Sequence, residues 1–110
     1  MSETSGGPSD PAAAAASGGP AVLTRTVLVP NRRGLHARAA AKFVTLAERY
    51  GASVEVLRDG QSVSARSIMG LMMLGAGQGA TLELQAEGWD AKEAIEALAA
   101  LVEAGFHERD

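Results

Sequence analysis

The sequence from Thr81 to Gly105, TLELQAEGWDAKEAIEALAALVEAG, contains the two patterns that decide the fold. Its first six residues alternate between polar and apolar, which predicts a strand with one buried face, and the apolar positions are Leu82, Leu84 and Ala86. After Asp90 the apolar residues recur at helical spacing as far as the glycine, and they predict an amphipathic helix that starts with a capping box of Asp90 and Glu93. A one-sided strand beside a one-sided helix indicates a sheet with helices on one face.

The same two patterns extend upstream. They predict a first helix, which follows Gly34 and runs to about Tyr50, a second helix over Ser67–Leu74, and strands over Val22–Val29, Ser53–Arg58 and Gln61–Ser64. The dipeptide Asp59-Gly60 is a strong hairpin signal, and the short polar strand after it suits the edge of a sheet. The order β-α-β-β-α-β-α therefore predicts an α+β fold, a two-layer open sandwich with three helices over one face of the sheet.

The first twenty residues have a composition of their own. Sixteen of them are Ala, Gly, Pro or Ser, so we predict a disordered arm over residues 1–20 and one folded domain over residues 21–110. The arm lacks the basic start and apolar stretch of a signal peptide, and no apolar run approaches the roughly 20 residues that span a bilayer. We therefore expect a cytoplasmic protein without membrane insertion. The chain has no cysteine, which excludes disulfides and thiolate sites.

Charge is distributed unevenly along the domain. Residues 21–79 contain eight basic and three acidic side chains, whereas residues 80–110 contain two basic and eight acidic ones. Four of the basic residues surround the start of the first predicted helix: Arg32, Arg33, Arg38 and Lys42. This cluster predicts an anionic partner or a phosphate at that place.

His36 lies between Gly34 and the first turn of that helix. A helix start offers unpaired N–H groups and a positive dipole end to an anion, and Arg38 adds a guanidinium within reach. Imidazole is a good nucleophile near neutral pH, so the segment contains what reversible phosphorylation of a histidine needs. Spacing alone equally allows a solvent-exposed histidine without a chemical role.

Ser67 begins the second helix and is a natural N-cap, which is all that most serines in this position do. The functional alternative is a regulatory phosphoserine. A helix this short cannot bury all of its apolar residues, so some of them form an adaptable surface for docking partners. The residues of interest for docking are Ile68, Met69 and Met72.

Three other signals do not support a site. The glycines at positions 75, 77 and 79 precede a strand instead of a helix, which predicts a connecting loop and no phosphate cradle. The pair Arg32-Arg33 lacks exposed aromatic residues for base stacking and the domain is not net basic, so we expect no nucleic-acid binding. His107 has no second ligand at a suitable spacing, so we expect no metal site.

Two segments taken together resemble a known family. Gly34–Arg38, GLHAR, and Arg66–Gly75, RSIMGLMMLG, are similar to the two signatures of the HPr family, the histidine phosphocarriers of the phosphoenolpyruvate-dependent phosphotransferase system. The resemblance implies a four-stranded antiparallel sheet in an open-faced sandwich. It also implies that phospho-enzyme I phosphorylates His36 on Nδ1 and that an enzyme IIA-type protein removes the phosphoryl group. The chain is then a phosphoryl-transfer intermediate and not a stand-alone enzyme.

The same resemblance assigns roles to further residues. Arg38 is similar to the arginine that steadies the phosphate, and Ser67 to the serine that HPr kinase/phosphorylase modifies. Ile68, Met69 and Met72 match the hydrophobic docking patch, and the resemblance implies a monomer that needs no metal or cofactor. In place of the usual family proline after the arginine, this chain has Ala39, which affects the backbone pose around the phosphate.

Two alternatives stay open. The run Leu71–Leu74 and the ending around Phe106 are similar to the nitrogen-related branch of the family, whereas the segment beginning at Arg66 is similar to members controlled by serine phosphorylation. Sugar transport and nitrogen regulation are therefore both compatible with the sequence. The alternative function is a protein-binding regulator that phosphorylation of Ser67 switches, without transfer through the histidine.

Overall fold

The computed structural model describes residues 22–108, so the arm predicted over residues 1–20 lies outside the described residues. The elements follow the predicted order: β1 (Val22–Leu28), α1 (Ala37–Ala47), β2 (Ser53–Arg58), β3 (Gln61–Ser64), α2 (Ile68–Met73), β4 (Thr81–Glu87) and α3 (Ala91–Glu103). A short 3₁₀ turn at Gly105–His107 comes last. Within this part of the chain, no helix combines the length and the apolar character that crossing a bilayer requires.

The four strands form one antiparallel sheet in the order β1-β4-β2-β3. Strand β4 lies in the centre, where Leu84 is opposite Arg25 of β1 and Val56 of β2. The short polar strand β3 lies at the edge, as its sequence predicts. The turn before it places Asp59 at φ 50° and Gly60 at φ 81°, the two left-handed residues of a tight hairpin. The predicted four-stranded open-faced sandwich is thus confirmed.

The core lies between the sheet and the three helices. The alternating residues Leu82, Leu84 and Ala86 are all buried beneath the helices, which confirms the one-sided pattern of β4. Phe43 of α1 and Leu98 of α3 are fully buried on the helix side, and burying each contributes about 1.5–3 kcal/mol. Alanine fills most of the other buried helix positions, and its small side chain lets the helices approach the sheet closely.

The capping box predicted for α3 was wrong. Asp90 occupies the N-cap position, but its side chain makes no capping hydrogen bond. Its carboxylate accepts instead from the backbone N–H groups of Gly51 (2.9 Å) and Ala52 (2.8 Å), in the loop after α1. A buried carboxylate takes the donors that its surroundings supply, and here the neighbouring loop supplies two. Asp90 therefore ties the end of α1 to the start of α3.

At the other end of α3 the chain turns sharply. Gly105, Phe106 and His107 all have positive φ angles between 58° and 63°. This left-handed turn inserts the Phe106 side chain fully into the core, and the Phe106 carbonyl accepts a hydrogen bond from the Lys42 ammonium of α1 at 2.7 Å. As a result the segment after α3 returns to the beginning of α1, where Glu108 contacts the loop between β1 and α1.

Candidate functional site

His36 is the N-cap residue of α1. Its backbone is extended (φ −78°, ψ −179°), and its ring atom Nδ1 accepts a hydrogen bond from the Arg38 backbone N–H at 3.2 Å. The Nδ1 lone pair therefore points at the amide groups that begin the helix, which is the positive end of the helix dipole. The side chain is 15% exposed, so the ring is held in place and is not a freely exposed histidine.

The loop before His36 is fixed by a second loop. Gly34 has φ +65°, and a Cβ atom there would lie 2.4 Å from the Ala76 carbonyl oxygen and 2.7 Å from the Gly77 Cα. Next to it, the Leu35 N–H donates to the same Ala76 oxygen at 2.8 Å. The glycine-rich segment is a connecting loop, as its sequence predicts. It also has a role that the sequence did not indicate, because its backbone supports the loop that carries the histidine.

The second ring nitrogen of His36 faces a carboxylate from the far end of the chain. Its Nε2 is hydrogen-bonded to Oε2 of Glu108, whose side chain is 10% exposed. The Asn31 amide group donates both to Glu108 Oε1 at 2.9 Å and to the Gly34 carbonyl at 3.0 Å. Asn31 is itself buried, so it joins the loop, the carboxylate and the histidine into one arrangement.

The charge state of this arrangement follows from its hydrogen bonds. Burial acts to raise the pKa of Glu108, but the hydrogen bonds from Asn31 and His36, together with the charges of His36 and Arg33, hold that pKa below its ordinary value. Glu108 is therefore a carboxylate at neutral pH. Sequence reasoning missed both Asn31 and Glu108, because 72 residues separate Glu108 from His36 and neither belongs to a local motif.

Arg38 is exposed on the first turn of α1, two residues beyond His36. It borders a surface groove of about 450 Å³ that runs along α1, with Lys42 and Arg49 on its wall and Leu101 of α3 at its base. Of the predicted basic cluster, Arg38 and Lys42 line this groove, whereas Arg32 and Arg33 are exposed in the loop before α1. Such a groove attracts an anionic surface and offers apolar contact below it.

Ser67 caps α2, as predicted, because its Oγ accepts a hydrogen bond from the Gly70 N–H at 2.9 Å. Helix α2 packs against α1, the helix that begins at His36. Ser67 is therefore at the start of a helix adjacent to the histidine helix. Its hydroxyl has a structural role whether or not it is modified.

The exposed apolar surface of α2 includes the three predicted docking residues. Leu71 and Leu74 are buried against the core, while Ile68, Met69 and Met72 are 40%, 70% and 42% exposed. Met73 is also exposed, at 72%, and was not among the predicted residues. A six-residue helix cannot turn all of its apolar side chains inward. We call Ile68, Met69 and Met72 the docking patch.

Among residues 22–108, no group of three or more His, Asp or Glu side chains gathers in a way that would hold a metal ion. The Glu108 carboxylate accepts from the Asn31 amide and is hydrogen-bonded to the ring, while the Asn31 amide oxygen is buried without a hydrogen-bond partner. The groups that the structure brings together here are one imidazole, a carboxylate and the amide groups of a helix start.

Comparison with known proteins adds three kinds of match. A family model described as PTS HPr component phosphorylation site matches residues 23–104. Phosphocarrier protein HPr of Cupriavidus necator is 46% identical over 87 residues, covering 79% of this chain and 98% of that protein. Phosphocarrier protein NPr of Shewanella violacea is 43% identical over 86 residues, covering 78% and 94%. The crystal structure of HPr-C-His from Thermoanaerobacter tengcongensis matches with a TM-score of 0.76 and 44% identity, covering 80% of this chain and 99% of that one.

Proposed function

Because the chain belongs to the HPr family of phosphotransferase-system components, we propose that it carries a phosphoryl group on His36 from phospho-enzyme I to an enzyme IIA-type protein. The observation that carries this proposal is the position of Nδ1, which accepts from the Arg38 N–H at the start of α1. A nucleophilic lone pair and anion-binding amide groups therefore occupy the same place.

The transfer exchanges one phosphoryl bond for another. The Nδ1 lone pair attacks the phosphorus of the donor, and the bond between phosphorus and the donor breaks as the bond from Nδ1 to phosphorus forms. The Arg38 N–H then loses Nδ1 as its acceptor and can donate to a phosphoryl oxygen instead. The Arg38 guanidinium, exposed on the first turn of α1, supplies further positive charge for the phosphate. Transfer to the next protein runs through the same contacts in reverse.

The surfaces near His36 fit a carrier that must bind two partners in turn. The docking patch offers flexible methionine side chains, which adapt to differently shaped partners. The groove beside Arg38 adds positive charge, which steers an acidic partner surface toward the site. We assign this surface to contacts with enzyme I and enzyme IIA-type proteins, with the chain acting as a monomer.

Ser67 is proposed as a regulatory site. A phosphate there adds a charge of about −1.5 to −2 beside the docking patch and on the helix next to α1. An HPr kinase/phosphorylase-type enzyme would place it, and phosphorylation would slow transfer through His36. Similarity to both HPr and NPr proteins supports either sugar transport or nitrogen-related regulation as the pathway.

A second candidate function is a protein-binding regulator that uses the docking patch and a Ser67 switch without phosphohistidine. The exposed methionines next to the serine favour it. The two functions differ in one observable property. Only the carrier forms a phosphoryl adduct on His36.

The test is incubation of the protein with phosphoenolpyruvate and its cognate enzyme I. We expect an adduct that is labile in acid and stable in base, as a phosphorus–nitrogen bond is. The chain has two histidines, so His36→Ala should abolish the adduct and His107→Ala should retain it. An unlabelled wild-type protein, or labelling that survives in His36→Ala, would refute the carrier function. Target binding by the serine-phosphorylated protein in the same experiment would then favour the second candidate.

A further inference from the structure

Glu108 is the one carboxylate among residues 22–108 that hydrogen-bonds to the His36 ring. It reaches the ring because the left-handed turn after α3 buries Phe106 and directs the following residues back to α1. Asn31 then holds the other carboxylate oxygen at 2.9 Å. The buried Phe106 thus fixes the chain next to Glu108, and the buried Asn31 amide fixes the carboxylate itself.

The hydrogen bonds of the ring determine where its proton is. Nδ1 accepts from the Arg38 N–H, so in the neutral ring Nδ1 has a lone pair and Nε2 carries the hydrogen. That hydrogen is donated to the Glu108 carboxylate. If the proton were on Nδ1, it would face the Arg38 N–H, and Nε2 would direct a lone pair at an anion. Both contacts would be repulsive.

We propose that Glu108 is a positioning residue for phosphoryl transfer, which keeps the imidazole proton on Nε2 and so leaves the Nδ1 lone pair free to take the phosphoryl group. This inference rests on the proposed carrier function. It adds to that function a residue from outside both sequence motifs.

The carboxylate also acts during the transfer. As the bond between Nδ1 and phosphorus forms, the ring gains positive charge, while its proton stays on Nε2 and remains hydrogen-bonded to Glu108. A carboxylate at this position stabilises the charged ring, as a second hydrogen-bonding partner does for a histidine that acts as a nucleophile or ligand. Because its pKa lies below the ordinary value, Glu108 keeps its charge throughout.

The test compares Glu108→Ala and Glu108→Gln with wild type in the rate of phosphoryl uptake from phospho-enzyme I. We expect Glu108→Ala to slow uptake about tenfold, which corresponds to about 1.4 kcal/mol in the barrier. Glu108→Gln keeps an oxygen that can accept from Nε2–H but has no charge, so its rate should lie between the two. The matched control is Glu96→Ala, which removes one negative charge from an exposed position on α3 and should react at the wild-type rate.

A spectroscopic readout separates positioning from a general structural effect. In the unphosphorylated protein at alkaline pH, nitrogen NMR should show the His36 ring protonated at Nε2, with a hydrogen-bonded proton signal protected from exchange with water. Glu108→Ala should lose that protection while the backbone amide signals of α1 and the sheet keep their positions.

The outcomes distinguish this inference from the proposed function. If wild type and both variants take up phosphate at the same rate, the inference is wrong and the carrier function stands. A faster Glu108→Ala variant also overturns it, because the carboxylate would then be an inhibitory cap on the ring. If wild type takes up no phosphate at all, the carrier function fails and the inference fails with it.

Discussion

Replacing Gly34 by alanine tests whether the glycine-rich loop at Ala76 and Gly77, called the second loop here, supports the loop that carries the histidine. Gly34 has φ +65°, which costs an alanine about 1–2 kcal/mol. Its new Cβ would also lie 2.4 Å from the Ala76 oxygen and 2.7 Å from the Gly77 Cα. Both are backbone atoms, so the two loops must separate. That movement adds the cost of overpacking, about 1–3 kcal/mol, and strains the hydrogen bond from Leu35 to Ala76. We expect Gly34→Ala to lower the free energy of unfolding by about 2–5 kcal/mol.

Gly60 provides the matched control. Its φ of +81° is also left-handed, but a Cβ there meets nothing within 4 Å. Gly60→Ala therefore isolates the backbone cost and should lower the free energy of unfolding by only about 1–2 kcal/mol. Urea unfolding followed by circular dichroism measures both variants. At urea concentrations where both are folded, Gly34→Ala should also accept phosphate more slowly, because the helix start that carries His36 is displaced.

The result that would refute this reasoning is equal destabilisation. If Gly34→Ala and Gly60→Ala differ by less than about 0.5 kcal/mol, the close packing against residues 76 and 77 has no energetic weight. If Gly34→Ala is destabilised but takes up phosphate at the wild-type rate, the contact between the two loops stabilises the fold without positioning the histidine. Either outcome would contradict the idea that the second loop holds the histidine in position.

Four other variants, one of them with a matched control, test further contacts of the site. Ser67→Asp should keep the cap of α2, because aspartate is also a good N-cap. Its negative charge should slow phosphoryl transfer to the site histidine, and equal transfer rates for variant and wild type would refute an electrostatic switch. Ala39→Pro, in the first turn of α1, should leave transfer unchanged or faster, and a large loss would show that this chain is adapted to alanine. Met69→Ser should raise the KM for enzyme I several-fold without unfolding the domain. Trp89→Ser, at a side chain that is 89% exposed and outside the docking patch, should leave that KM unchanged. Glu108→Gln should be less stable than wild type at pH 7. The urea midpoints of the two proteins should converge as the pH falls below 4.5, because a carboxylate with a lowered pKa stabilises the fold only while it is ionised. A difference between the midpoints that is unchanged at pH 3 would contradict this.

The fold was predictable because its signals are local. The alternation in β4 and the spacing of apolar residues in α1 each fix which face is buried within a few residues, and the Asp59-Gly60 turn fixes the hairpin. The location of His36 at a helix start was predictable for the same reason, since the helix pattern begins directly after it. Ser67 as a cap likewise depends on its own helix alone.

What the sequence did not reveal depends on contacts between distant segments. Asp90 has the sequence context of a helix cap, but the loop after α1 offers its carboxylate two N–H groups and competes successfully for it. Glu108 lies in a charged segment near the end of the chain, and only the turn at Gly105–His107 brings it to the histidine. Asn31 precedes the histidine loop without any motif that would mark it. The roles of these residues can be recognised only in the folded structure, where distant segments are in contact.

The direction of β1 has a practical consequence for handling the protein. Val22 is paired with Glu87, close to Trp89 and the start of α3, whereas the residues after Leu28 lead to the histidine loop. A purification tag fused ahead of β1 therefore enters at the pole far from the imidazole. A tag fused after Asp110 is separated from Glu108 by only two residues, Arg109 and Asp110. Kinetic work on this carrier is best done with N-terminal fusions, and a C-terminal tag that depresses turnover would itself report on the Glu108 contact.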